Sequence, residues 1–182
     1  MTPISIALMV AVLVVMPVET LLSWKFNRFY FTVGVPLFKT ERDRGATANP
    51  IPSAGQLQAL MPRAFNKVAF SQIGPAQIAF REPLWKFAHF GYIPTMHGLA
   101  SFDLLTGQVR VVGLANWFPL LLMAFLVTHS LTRQESAPLA VFFAVFFLLF
   151  YAIQFQRFRK IAALTVSCWS MPVQSANTRR PP

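Results

Sequence analysis

The sequence predicts a helical membrane protein with three transmembrane helices and a small inserted α+β domain, mostly antiparallel β. Three observations predict it. Apolar residues gather into runs at 4–24, about 117–131 and 138–155, each close to the length a helix needs to cross a bilayer. A mixed stretch of about ninety residues between the first two runs carries short β-prone segments separated by turn residues. The whole chain is 55% hydrophobic and only 12% charged, with a mean hydropathy of +0.51, above the range usual for soluble domains. The expected divisions are an N-terminal span at 1–24, the inserted domain at 25–115, a helical hairpin at 116–156 and a basic tail at 157–182.

The first run reads as a retained anchor. No positive charge precedes it, no small-residue cleavage site follows it, and Lys25 and Arg28 come at once after it. Glu19 lies five residues before Trp24, near the inner end of the span. An ionisable residue there is either an interfacial acid neutralised by Lys25 or Arg28, or a contact with another subunit or polar ligand.

Within the inserted domain, the aromatic and β-branched segment 29–35 (FYFTVGV) predicts a strand, with Pro36 limiting it to an edge or a bend. Residues 39–53 are charged and rich in turn formers, which predicts a loop. Leu57, Leu60 and Met61 recur at helical spacing in 55–64, so a short amphipathic helix is expected there, ended by Pro62. Strands follow at 67–72, 77–81, 98–103 and 108–113. The last two flank LLTG, a hairpin loop closed by glycine, with Val109, Val111 and Leu114 pointing inward. Residues 83–92 are crowded with aromatics.

The second run is the shortest. Asn116 suits an N-cap, Pro119 falls in the first turn, and Trp117 suits headgroup level. The span is completed only by reaching through His129 to Arg133; a re-entrant hairpin with the third run is the alternative. The third run, with Phe142, Phe143, Phe146, Phe147, Phe150 and Tyr151, is apolar on all sides, whereas a soluble helix keeps a polar face. The segment 161–171, too short to span, is expected to lie along the interface as a helix carrying Trp169.

Charge sets the orientation. The chain has 16 Lys/Arg against 6 Asp/Glu, a net charge of +10, and the basic residues cluster beside span ends. Lys25, Arg28, Lys39, Arg42 and Arg44 follow the first span; Arg157, Arg159 and Lys160 follow the last. The loop between the second and third spans has Arg133 beside Glu135. This distribution predicts a bacterial inner-membrane protein with its N-terminus outside and the domain and C-terminus cytoplasmic. It also accounts for the basic pI of 10.9 without nucleic acid as a partner. Arg157, Arg159 and Lys160 are expected at anionic headgroups.

Chemical motifs are sparse. The single cysteine, Cys168, excludes an internal disulfide and a multi-cysteine metal site. No phosphate loop, nucleophile elbow or paired-carboxylate spacing occurs, so no catalytic residue, metal site or cofactor is assigned. His129 is a candidate pigment or haem ligand, weighed against a satisfied interfacial histidine. His89, His97 and Asp103 form the only acid–base set available, and His97 with Asp103 defines the enzyme alternative. The expectation is therefore a non-catalytic accessory subunit or assembly factor of a larger membrane complex. The alternatives are a surface sensor or tether for anionic lipid or an acidic partner, and a membrane enzyme. Glu19, Lys25, Arg28, Trp117, Arg157, Arg159 and Lys160 are the expected lipid or partner contacts.

Overall fold

The computed structural model describes residues 2–43, 51–62, 68–82, 95–103, 105–132 and 137–170. Arg44, Arg133, Glu135, His89, the aromatic segment 83–92 and the end of the tail lie outside the described residues. The elements run α1 (Pro3–Trp24), α2 (Arg28–Thr32), β1 (Val35–Asp43), α3 (Ala54–Leu60), β2 (Ala69–Gly74), β3 (Gln77–Arg81), β4 (Met96–Asp103), β5 (Gln108–Ala115), α4 (Trp117–Thr132) and α5 (Ala137–Ser170). Five antiparallel strands make one sheet in the order β1-β5-β4-β3-β2.

Two helices, α1 and α5, are long and apolar enough to cross a membrane by length and composition. The expected second span, α4, has 16 residues, about 24 Å at 1.5 Å per residue, which is shorter than a bilayer's hydrocarbon core of about 30 Å. It packs chiefly on α1 and less on α5.

Local chemistry explains most boundaries. Thr2 caps α1 by accepting from the Ser5 amide, with Pro3 at the first helical position, where a missing N–H is harmless. Ser53 and Gln56 close a capping box at the start of α3. The β4–β5 hairpin turns through Gly107 at φ 68°, a left-handed conformation that favours glycine.

The segment 29–35 is not a strand. Asn27 accepts from the Phe29 amide at 3.0 Å and starts the one-turn helix α2. Tertiary burial of Tyr30 and Phe31 against the sheet outweighs their β propensity. The strand begins instead at Val35 and continues through residues 39–43, which the sequence placed in a loop. Its charged side chains are tolerable because β1 is an edge strand, where Lys39 and Glu41 face water. Pro36 sits at its start, beside a register shift between Pro36 and Phe38.

The largest departure concerns the C-terminal segment. Residues 157–170 are not a separate tail along an interface; they are the second half of α5, which runs unbroken for 34 residues, about 51 Å. Phe158, Ile161, Ala162, Val166 and Trp169 are buried on the sheet. Phe158, the pair Ile161–Ala162, Val166 and Trp169 recur about once per turn, which makes one helical stripe. Phe80 meets Phe158 with ring centroids 5.4 Å apart, and Phe102 meets Trp169 at 4.4 Å. Val109 and Val111 lie in this core, as expected, while Leu114 is buried on the opposite face beside Gly34.

Two glycines make room for aromatic rings that α5 packs against. Phe80, Gly98, Gly113 and Phe38 are register neighbours across four strands. The Phe80 ring lies over Gly98 and the Phe38 ring over Gly113, filling the space a Cβ would take. Aromatic cover of a strand glycine restores the apolar contact that the missing side chain forfeits.

Candidate functional site

The chemistry-bearing side chains meet where the apolar helices join the sheet. Glu19, on the last turn but one of α1, is buried. Its Oε1 accepts from the Trp117 amide (2.8 Å) and the Tyr30 hydroxyl (2.8 Å), and its Oε2 from the Phe118 amide (2.6 Å). It therefore satisfies the first two amides of α4, where a negative charge complements the helix dipole. The neutralisation by Lys25 or Arg28 expected from sequence is not what forms: both cations are exposed and Glu19 turns inward.

Asn116 extends the network towards the sheet. Its Oδ1 lies 3.1 Å from the Tyr30 hydroxyl and 2.7 Å from His97 Nδ1. An acceptor oxygen there requires the proton on Nδ1, which fixes the neutral His97 tautomer. The imidazole is stacked on the Tyr30 ring at 4.3 Å and meets the Phe31 edge at 5.1 Å. Burial pushes the His97 pKa down to about 4 against the hydrogen bond to Asn116. Burial also raises the Tyr30 phenol, helped by the charge of Glu19. Arg81 lies under Phe26, its guanidinium 4.9 Å from the ring centroid, and burial lowers its pKa.

A second set ties α5 to the same level. Gln154 Oε1 accepts from the Thr95 amide (2.8 Å), the Thr95 hydroxyl (3.0 Å) and the Met96 amide (3.1 Å). Thr95 in turn accepts from the Asn116 amide through its carbonyl at 2.8 Å. Arg157 pairs with Glu82, just past the end of β3, at 3.0 Å, so it is turned to the sheet rather than free for a headgroup. Arg159 and Lys160 are exposed. Trp117 is partly exposed, and its contribution to the junction is its backbone amide.

The acid–base pair considered from sequence is not assembled. His97 and Asp103 sit six residues apart on β4, about 20 Å along a strand. Asp103 is exposed, and hydrogen bonds from the Thr106 side chain first, then from the Leu105 and Thr106 amides, lower its pKa. His129 stacks on Phe125 at 5.7 Å on α4. Among the described residues, no group of three or more His, Cys, Asp or Glu is placed to hold a metal ion.

Sequence reasoning singled out Glu19 but missed Tyr30, Asn116 as a link to the sheet, Thr95 and Gln154. A buried polar residue in an apolar run was the available signal for Gln154. Its partners lie 58 and 59 residues away, beyond any local pattern. Two hollows flank the junction. One, of about 220 Å³, opens on Glu19 and Tyr30 between α1 and α4; the other, of about 490 Å³, lies between α4 and α5. Comparison of the chain with protein-family models, curated proteins and solved structures gave no match.

Proposed function

We propose that the chain is a non-catalytic accessory subunit or assembly factor of a larger bacterial inner-membrane complex. In this reading α1, α4 and the first half of α5 lie in the bilayer, with the N-terminus outside and the sheet on the cytoplasmic side. The observation that carries it is the outward face of the long helices. Leu13 and Trp24 are each 65% exposed, Phe142 is 62% and Leu148 is 67%. Leaving each such side chain in water rather than lipid or a partner forgoes roughly 1.5–3 kcal/mol. The junction adds a mechanical argument. Glu19 of α1, Asn116 just before α4, and Gln154 and Arg157 of α5 each bond to the sheet or to a segment flanking it, so the helices hold the domain in one orientation. A part whose polar groups are spent on internal rigidity suits a role as a spacer or brace.

Carbonate washing followed by mild detergent extraction and mass determination tests this. Retention in the membrane, with a particle heavier than one chain containing other proteins, is expected. A monodisperse species of single-chain mass with nothing copurifying overturns the accessory role.

Exposed Lys25, Arg28, Arg159 and Lys160 favour a second reading, a tether for an acidic partner. It predicts association that weakens steeply with ionic strength; association unchanged in high salt overturns it.

A further inference from the structure

We propose that the hollow between α4 and α5 holds one acyl chain of an anionic phospholipid from the leaflet beside the sheet, with its phosphate on Arg159. The proposal rests on the membrane reading above and specifies a ligand for it. The hollow, about 490 Å³, is lined by Leu120 and Met123 of α4 and by Ala144, Leu148, Ala152 and Phe155 of α5. Its volume falls in the range of small-molecule sites, about 300–1,000 Å³. The α5 residues recur every three or four positions, so they form one stripe down the helix. From Ala144 to Phe155 that stripe is about 16 Å long at 1.5 Å per residue. One leaflet of a hydrocarbon core of about 30 Å is close to the same depth.

The polar end of the stripe is what selects the occupant. Arg159 follows Phe155 by one turn, is exposed, and holds its guanidinium 5.6 Å from the Phe155 ring centroid. Among the described residues no carboxylate pairs with it, in contrast to Arg157, which Glu82 occupies. Lys160 is exposed beside it. An apolar groove of leaflet length closed by an available cation complements a diacyl lipid with a phosphate headgroup. A partner helix would fill the groove but could use that cation only by placing its own C-terminus or an acidic side chain there, whereas a lipid phosphate lies at that level in every copy.

The test uses the full-length chain in mixed micelles with equal phosphatidylglycerol and phosphatidylcholine, followed by native mass spectrometry of the bound lipids. One phosphatidylglycerol per chain is expected to remain in preference to phosphatidylcholine. Arg159→Gln should reduce that preference on the order of fivefold, the effect of one basic charge at a membrane surface. Ala152→Phe should fill the groove and remove retention of both lipids. Arg159 is exposed, so its variant decides the matter even where Ala152→Phe misfolds. Absence of retained lipid in a chain that resists carbonate washing refutes the lipid site and leaves the membrane reading standing. An Arg159→Gln preference equal to wild type also refutes it, as does a groove emptied of lipid whenever a protein partner copurifies. Stripping of the chain by carbonate overturns both proposals.

Discussion

Replacing Glu19 by alanine is the sharpest perturbation of the junction. The carboxylate serves three donors: the Tyr30 hydroxyl and the amides of Trp117 and Phe118. After truncation Tyr30 keeps Asn116 Oδ1 at 3.1 Å, so two backbone amides lose their acceptor. Each of these part-buried donors left unmade costs about 1–2 kcal/mol, the lower part of the range for a buried one, and the lost negative charge at the helix N-terminus adds about 0.3–1 kcal/mol. Removing the carboxylate also relieves the cost of holding a charge away from water, so the net loss is about 2–4 kcal/mol. In a chain of this size each kcal/mol moves the thermal midpoint by about 2–4 °C, giving a drop of about 10 °C. Glutamine should recover only part of it, because it offers one acceptor oxygen and turns an NH2 towards an amide donor. Tryptophan fluorescence during heating in detergent is the assay, with Glu41→Ala as control. Glu41 pairs with Lys39 and Arg110 at an exposed edge, where such pairs contribute under about 1 kcal/mol. A Glu19→Ala midpoint equal to that of Glu41→Ala would refute the capping role. So would additivity of Glu19→Ala and Tyr30→Phe, since partners in one network must couple.

Other outcomes follow from the same geometry. Trp169→Ala empties a buried site against Phe102 and should cost about 3–5 kcal/mol in the same melt. A fragment of residues 25–115 lacks Phe158, Ile161 and Trp169 and should fail to give a dispersed amide spectrum, whereas one extended to cover α5 should give it. Gly98→Ala or Gly113→Ala must displace the Phe80 or Phe38 ring and should destabilise by about 1–3 kcal/mol. His97 is held neutral with a folded pKa of about 4 against an ordinary 6.5. The unfolded chain thus binds the extra proton first, so this contribution is complete above pH 6.5 and is lost as pH falls towards 4. His97→Gln should flatten the midpoint-against-pH curve across that window; an unchanged slope would place the titrating group elsewhere.

Much of the fold is legible in local chemistry. The apolar runs mark α1, α4 and the start of α5; Gly107 marks the hairpin; Leu57 and Leu60 at helical spacing mark α3. These depend on residues within one or two turns of each other, where periodicity and capping act. Residues 29–32 of the expected strand 29–35 are helical because Asn27 and the burial of Tyr30 and Phe31 outweigh a modest β preference. Residues 39–43 failed as a loop because an edge strand accepts charge on the side that faces water.

The sequence by itself determined which segments avoid water, where the basic residues cluster, and that one acid, Glu19, sits inside an apolar helix. Only the tertiary structure decided what that acid does, since its amide partners lie 98 and 99 residues along the chain. The same holds for α5. Its stripe from Phe158 to Trp169 is apolar enough for a lipid surface or a protein core, and hydrophobicity alone is indifferent between them. The choice fell to the sheet, where Gly98 and Gly113 and the rings over them leave a surface shaped to receive that stripe.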